Sequence, residues 1–545
     1  IASDDQLVML LRGGGDNLPV KLLERDGSVS FLIPSRRIRL DWMRAYVQSH
    51  PDLTQHLRVA DIDDLQAAVT ERVRPFLARI AVNGLSERFP EMSASVVANG
   101  WQGAVLGIVM TMLPVGLALA PGLTLGLLHG LATFFFFACV ALRFAAVASV
   151  TTGKRLQRIE TPPANAPVYS VLVALYKEAD IVPDLLTALD WIVWPRDRLE
   201  IRLVCESDDA ETLSAIEMRP LPSHIKVVRV PPTGPRTKPK ALAYALPMTR
   251  GEFVALYDAE DWPDPMQLAE AWTRFRESGP ELAVLQAPLE ISNPSESLIA
   301  RMFAFEYSAL FHGLLPWLSR HRLMLPLGGT SNHFRRAALE AVGGWDPFNV
   351  TEDADLGTRL ARFGYQAATI SAPTYEQAPT KLSVWLPQRT RWFKGWAQTW
   401  LVHMRDPVKL AGDLGPRSFV IAQVLFAGML ASSLLHPLLL ATFCFGLVQL
   451  LLTASSGPVH SALLSVDVIN ITCGYLSFLL LGWQTLAKNQ RRGFWKIVAL
   501  TPIYWAMMSY AGWRAVLQLW KRPFHWEKTP HRQVLAAAMP PASGG

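Results

Sequence analysis

Three short runs carry the side chains best suited to chemistry. Asp258-Ala-Glu260-Asp261 follows the apolar run Phe253–Tyr257. A turn at a strand end puts two such carboxylates on one side of the chain, and hard divalent cations take carboxylate and phosphate oxygens. Mg²⁺ or Mn²⁺ held there would offset charge on a departing diphosphate. Thr351-Glu352-Asp353 precedes a helix expected from about Leu356. Asp353 suits a general base that takes the proton of an attacking hydroxyl, while Thr351 equally suits a helix cap. In Gln388-Arg-Thr-Arg391-Trp392, Gln388 and Arg391 stand three residues apart and share a helix face. Both can then point at a diphosphate, and the flat Trp392 ring suits a sugar face. Leu327-Gly-Gly329-Thr330 could bring backbone N–H groups to an acceptor or phosphate. As a set these groups suit sugar transfer from a nucleotide diphosphate at a membrane surface. Taken singly, each also reads as plain structure: a solvated acidic turn, a cap, a basic-aromatic belt helix, a loop.

The elements that must position these groups follow from periodicity. From Val168 to about Ile370, β-rich runs (Val168–Leu175, Ile201–Cys205, Ile225–Val230, Phe253–Tyr257) alternate with helical patterns such as Ile181–Trp191 and Ala241–Leu246. That alternation predicts an α/β domain with a largely parallel sheet. Ligands bind such sheets at the carboxyl ends of strands, where Glu206, Asp208 and Asp258 fall. Around this segment lie apolar runs long enough for a bilayer core of about 30 Å. Gln102–Ala120 and Leu123–Leu142 precede it; Ser418–Leu435, Pro437–Leu452, Val468–Leu486 and Ile497–Leu519 follow it. About six spans are expected. Ser297–Leu318 and Ser383–Trp400 are aromatic-rich but charged, and read as interfacial helices. Arg143, Lys154, Arg155 and Arg158 put the segment after the second span in the cytoplasm. An even count returns the basic tail Lys521–Arg532 to the same side, but leaves the basic loop Lys488–Lys496 facing outward, against the same rule.

Composition agrees with a part-membrane, part-soluble chain. Of 545 residues, half are hydrophobic and 18% charged, with mean hydropathy +0.19. The net charge of +6 fits cytoplasmic loops rather than nucleic-acid binding. Four cysteines without a CxxC spacing indicate neither a zinc site nor a disulfide framework. The opening is acidic, with no apolar core of a signal peptide. The expected organisation is a small soluble domain over 1–100, two transmembrane helices over 101–150, a catalytic domain over 155–410, about four transmembrane helices over 417–520 and a cytoplasmic tail over 521–545. In the first unit Ser28–Ile33 alternates like a strand, Pro34-Ser-Arg-Arg reads as a turn, and Asp61–Leu85 as one or two amphipathic helices. A docking or regulatory role suits it. Arg36, Arg37 and Arg39 suit a phosphate contact or, more commonly, a solvated or lipid-facing patch.

The ordered set of Glu206/Asp208, Asp258-x-Glu260, Glu352-Asp353 and Gln388-x-x-Arg391-Trp392 resembles the membrane-embedded family 2 glycosyltransferases, the processive synthases of cellulose, chitin, hyaluronan and related β-glucans. The resemblance covers about residues 165–400. The run from Gln388 to Trp400 is most similar to a bacterial branch that includes mixed-linkage β-glucan synthases. The resemblance implies a GT-A-like cytoplasmic domain beside transmembrane helices in a bacterial inner membrane. It further implies a UDP-glucose donor, Mg²⁺ or Mn²⁺, a growing polysaccharide acceptor, the lipid bilayer and accessory secretion subunits as partners, and no nucleic acid. By position, Ala174, Tyr176 and Glu178 match a uridine-holding segment, and Glu206 and Asp208 a second nucleotide contact. Lys240 matches a diphosphate-side lysine, and Asp258 and Glu260 the metal site. Asp353 matches the base, with Glu352, Gly329 and Thr330 beside the acceptor, and Gln388, Arg391 and Trp392 match the acceptor-end motif. Three departures stand out: Glu260 lengthens the metal arm, Ala243 replaces a common Asn, and no cyclic-di-GMP arginine spacing is seen. Trp526, Lys528 and Thr529 resemble a gating loop in residue type, and equally a juxtamembrane anchor. Two rivals to polymer synthesis remain: a single-addition glycolipid transferase, and an inactive polysaccharide channel or sensor.

Overall fold

The computed structural model describes residues 4–12, 20–24, 26–34, 40–60, 62–150, 160–452 and 458–522. The chain starts with α1 (Asp4–Leu11), β1 (Val20–Leu23), β2 (Val29–Pro34), α2 (Leu40–Ser49), β3 (Leu57–Ala60) and α3 (Ile62–Arg88). β2 is the expected strand; it pairs antiparallel with β1 and parallel with β3. The pattern over 61–85 forms the single helix α3. Its Val69, Val73, Leu77, Ala81 and Leu85 recur every four residues and are all buried, as one helix face requires. The turn with Arg36, Arg37 and Arg39 lies outside the described residues, as do Trp526, Lys528 and Thr529.

α4 (Gly100–Leu119) and α5 (Pro121–Val150) are the first two apolar helices. Asn99 and Gln102 cap α4 reciprocally, each side chain accepting the other's backbone N–H at 3.2 and 3.0 Å. No α4 residue is buried, whereas α5 buries Phe136, Cys139, Val140 and Leu142. α5 runs beyond the expected end at Leu142. Arg143 therefore lies inside the helix rather than on its flank, with its guanidinium 5.8 and 5.7 Å from the rings of Phe478 and Trp505.

The α/β domain holds β4 (Tyr169–Leu175), α6 (Val182–Asp190), β5 (Leu199–Glu206), α7 (Ala210–Glu217), β6 (Ile225–Val230), α8 (Lys238–Ala245), β7 (Phe253–Tyr257), β8 (Trp262–Pro263), α9 (Gln267–Arg276), β9 (Leu282–Gln286) and β10 (Leu289–Ile291). It continues through α10 (Leu298–Ala309), α11 (Leu315–Arg320), β11 (Asn332–Arg335), α12 (Arg336–Ala341), α13 (Glu352–Arg362), β12 (Gln366–Thr369), β13 (Thr374–Glu376) and α14 (Leu382–His403). The main sheet has the order β12-β9-β11-β7-β4-β5-β6. β7, β4, β5 and β6 run parallel, and β11 is antiparallel to both neighbours. β7 is buried throughout, and β4 everywhere but Ala174. Helices on both faces leave such strands no solvent side, which is why they read as unbroken apolar runs. α3 packs on α8, so the N-terminal unit braces one flank of this domain.

The remaining helices are α15 (Pro407–Ala422), α16 (Met429–Leu452), α17 (Pro458–Thr485) and α18 (Phe494–Lys521). Among the described residues five helical stretches are long and apolar enough to cross a membrane: Gly100–Leu119, Pro121–Val150, Leu298–Arg320, Pro407–Leu452 and Ser461–Thr485. About six were expected. Ser418–Leu435 and Pro437–Leu452 are one continuous helical path, with Pro437 inside α16; among apolar neighbours a helix tolerates the single N–H that proline removes. Ile497–Leu519 lies in α18, which is not among the five. Most of Leu298–Arg320 is buried in the protein, so α10 and α11 pack largely against other elements. α14 departs in the same way. Its Trp385, Arg389, Lys394 and Gln398 are buried, because the helix is sandwiched between α13 and α18. In the loop after α17, the Arg492 carbonyl accepts from Arg301 of α10 at 3.0 Å, so the basic stretch Lys488–Lys496 touches the start of α10.

Candidate active site

The carboxyl ends of β4, β5 and β7 open into a cavity of about 360 Å³, closed on the other side by the starts of α8 and α13 and by α14. It brings together Ala174, Tyr176, Glu178, Glu206, Asp258, Glu260, Gly329, Thr330, Glu352, Asp353, Gln388, Arg391 and Trp392. Among the described residues, two of those named are absent from its lining, Asp208 and Lys240. Asp208 forms an ion pair with Arg236 at the rim. Lys240 is a correction. Its Nζ lies 2.6 Å from Glu206 Oε1, with 2% of the side chain exposed, and also donates to the Pro231 carbonyl at 3.1 Å. It is the internal counter-ion of Glu206. Of the two lysines in this run, Lys238 faces the cavity, bonded to Asp258 Oδ1 and to the Gly329 carbonyl. The sequence run Thr-Lys-Pro-Lys offered both lysines and nothing local to choose between them.

The turn after β7 is fixed by its own third carboxylate. Asp261 Oδ2 accepts the Asp258 N–H at 2.9 Å and the Thr330 hydroxyl, which leaves Asp258 and Glu260 to face the cavity. The loop carrying Gly329 is held differently from expectation: the Gly328 N–H donates to Gln286 at 2.7 Å rather than into the cavity. The segment after β4 turns through Lys177, which adopts a left-handed φ of 55°. The Glu178 N–H there donates to Thr212 at 3.0 Å.

Asp353 sits in the first turn of α13, 6% exposed, and its Oδ1 has no hydrogen-bond partner among the described residues. Burial and the neighbouring Glu352 charge hold its carboxyl well above the usual range, against the opposing pull of Lys238. Glu352 is raised by burial as well, and Lys238 again opposes the shift. Burial works against the Lys238 charge, but Asp258, Asp353 and Glu352 more than reverse it and raise its pKa. Thr351 makes no side-chain cap, so the capping expectation fails. Its side chain instead fills the space over Gly395 of α14, where an added Cβ would lie 2.4 Å from it. Only glycine at 395 lets the two helices approach this closely.

A polar clamp missed by sequence reasoning sets that approach. Asn349 donates to Thr399 at 3.0 Å, the Val350 N–H to Gln398 at 3.2 Å, and Gln398 back to the Phe348 carbonyl at 3.0 Å. Gln398 and Thr399 look like ordinary helix residues in sequence, and their partners lie about fifty positions away. The clamp holds Asp353 opposite Gln388, Arg391 and Trp392. Gln388 Oε1 is buried without a hydrogen-bond partner among the described residues, which suits a ligand donor.

The donor set fits a hard divalent cation. Among the described residues no three His, Cys, Asp or Glu groups form a protein-only metal cluster. Two carboxylates completed by phosphate and water are, however, the usual holding of Mg²⁺, and Asp258 and Glu260 supply them.

Residues 166–395 match the family described as glycosyltransferase like family 2. With it comes the expected fold, a GT-A-like α/β domain, here beside several long apolar helices. Over 237 residues the chain is 28% identical to the "Probable glycosyltransferase YdaM" of Bacillus subtilis, covering 42% of this chain and 55% of that one. It is 26% identical over 245 residues to the "Probable glucomannan 4-beta-mannosyltransferase 1" of Arabidopsis thaliana, covering 44% of each. It is also 26% identical over 244 residues to the "Beta-monoglucosyldiacylglycerol synthase" of Trichormus variabilis, covering 44% and 50%. The chain thus spans about half the length of these curated relatives. Among solved structures it is similar to the mannosyltransferase PcManGT from Pyrobaculum calidifontis in complex with GDP-Man and Mn²⁺, with TM-score 0.47, 21% identity, and 72% of this chain and 99% of that one covered.

Proposed function

We propose that this protein is a processive, inverting glycosyltransferase that extends a β-glucan from UDP-glucose and passes it across the bacterial inner membrane. The observation that carries the reading is the single cavity in which Asp353 faces Lys238, Asp258, Glu260, Gln388, Arg391 and Trp392. Asp353 takes the proton of the acceptor hydroxyl; its raised pKa makes it a stronger base than an ordinary carboxylate. The freed oxygen attacks the sugar C1, the bond from C1 to the diphosphate oxygen breaks, and single displacement inverts the anomeric centre. Lys238 and Arg391 neutralise charge on the leaving diphosphate. A cation bound by Asp258 and Glu260 would add Lewis-acid stabilisation of the same charge. Ala174, Tyr176, Glu178 and Glu206 line the nucleotide end, and Trp392 bears the acceptor sugar.

Translocation draws support from a second cavity, about 100 Å³, lined by Arg143, Glu306, His436, Asn470, Tyr504 and Trp505 among the apolar helices. Polar groups at such depth are costly and mark pathways. His436 Nδ1 and Asn470 Nδ2 are buried there without hydrogen-bond partners among the described residues. Leaving aside the buried Leu298–Arg320 stretch, four apolar helices remain. If each is a span, the basic Lys488–Lys496 loop lies on the catalytic side, which supports a cytoplasmic domain. The relative named as a glucosyldiacylglycerol synthase favours a second reading, single addition to a lipid. The deciding experiment supplies purified protein with labelled UDP- and GDP-sugars and Mg²⁺ or Mn²⁺, then digests the product with linkage-specific glucanases. A glucanase-sensitive polymer from UDP-glucose supports the first reading, and a one-sugar glycolipid the second.

A further inference from the structure

Trp392 stands at a boundary: its ring lines the catalytic cavity, and the next residue, Phe393, lines the intramembrane one. Groups from three helices fix that ring. Phe303 and Tyr307 of α10 contact it at centroid distances of 5.8 and 6.2 Å, Tyr307 nearly parallel at 27°. Arg389, one turn earlier on α14, lays its guanidinium 4.5 Å from the Trp392 centroid and 4.6 Å from that of Phe303. The guanidinium is in turn held by Glu306 of α10. Arg389 Nη1 donates to Glu306 Oε1 at 2.9 Å, and the Tyr504 hydroxyl of α18 donates to Oε2 at 2.8 Å. The Arg389 side chain is only 4% exposed, and Glu306 itself lines the second cavity.

We propose that Glu306 is a positioning residue for the acceptor: by holding Arg389 across Trp392, it sets the ring face against which the acceptor sugar lies where the two cavities meet. The proposal rests on the reading that Trp392 bears the acceptor. A guanidinium stacks on aromatic faces and forks onto a carboxylate, so one carboxylate and one ring suffice to remove its rotamer freedom. Without the Glu306 charge, Arg389 is left buried and uncompensated. It then turns toward another acid or toward water, and the ring loses its backing. Glu306 lines the second cavity rather than the first, so its loss leaves the nucleotide end intact.

The test uses Glu306→Gln in the purified full chain. Three quantities are read: the UDP dissociation constant, donor hydrolysis by water, and KM for a soluble β-glucan oligosaccharide acceptor. Loss of a charged hydrogen bond is worth about 1.5–3 kcal/mol, so acceptor KM is expected to rise by roughly ten- to a hundredfold and products to shorten. UDP affinity and hydrolysis stay near wild type, which also reports that the variant is folded. Tyr504→Phe, which removes only a hydroxyl, shows a smaller change of the same kind. In the Trp392→Ala background, Glu306→Gln adds no further loss, because it acts through that ring. Equal losses in UDP affinity and acceptor KM, additivity with Trp392→Ala, or an unchanged acceptor KM would each overturn the proposal. If Trp392→Ala alone leaves acceptor KM unchanged, the acceptor reading beneath it falls first, and the proposal with it.

Discussion

Replacing Lys240 by methionine separates a structural lysine from a diphosphate-binding one. In the structure its ammonium is 2.6 Å from Glu206 Oε1, with 2% and 4% of the two side chains exposed. Nζ also serves the Pro231 and Thr233 carbonyls at 3.1 and 3.4 Å. Removing one partner of a buried pair leaves the other charge uncompensated and costs about 3–5 kcal/mol, a large share of the 5–15 kcal/mol that holds a typical domain. Burial already raises the Glu206 pKa, and Lys240 is the chief group holding it down. In Lys240→Met the folded-state pKa of Glu206 therefore climbs further above its unfolded value. The stability this leaves is fully present below the unfolded pKa and is lost as pH rises through the folded one, so the variant is closest to wild type in acid and most destabilised near pH 8. The double variant Lys240→Met/Glu206→Gln, which removes both charges, recovers most of the loss. The assay is the unfolding midpoint of detergent-solubilised protein across pH, with UDP affinity measured on the folded fraction. A Lys240→Met protein with wild-type stability at pH 8 and weakened UDP binding would refute the reasoning and restore the lysine to the diphosphate.

Three further expectations concern the cavity and its flank. Asp353→Asn lowers transfer by about 10²-fold or more, the usual scale for a general base, while UDP binding survives; equal loss of UDP affinity would make Asp353 a nucleotide-site residue. Asp258→Asn abolishes transfer and removes the metal dependence of UDP binding, and near-normal turnover in EDTA would end the metal assignment. Asp346 accepts the Ala94 and Phe348 N–H groups, and burial pushes its carboxyl up to about 6. Its proton is bound more tightly in the folded state, so native stability falls as pH rises from about 4 to about 6, by roughly 3 kcal/mol at most. Asp346→Asn flattens that stretch of the pH profile; an unchanged slope in unfolding measurements would show the group is not the source.

Much of the architecture was legible because burial leaves a local mark. β4 and β7 are apolar on both faces, so their runs read as interior strands, and their ends located Asp258 directly. The four-residue recurrence from Val69 to Leu85 gave α3, and charge-free runs gave α4 and α5. Most of the candidate site followed from carboxylates at strand ends and from the spacing of Gln388, Arg391 and Trp392. Tertiary structure alone decided the rest. Lys238 and Lys240 stand roughly 200° apart around a helix, and only the way α8 lies on the sheet turns one to the cavity and the other to Glu206. Pro437 would break a helix in water, but among apolar neighbours it joins two expected spans into one. The Gln398–Val350 bond and the Arg389–Glu306 pair cross 48 and 83 positions of sequence. Periodicity reports that a face is buried, whereas the partner that buries it is set by how distant segments pack, and no local pattern encodes that choice.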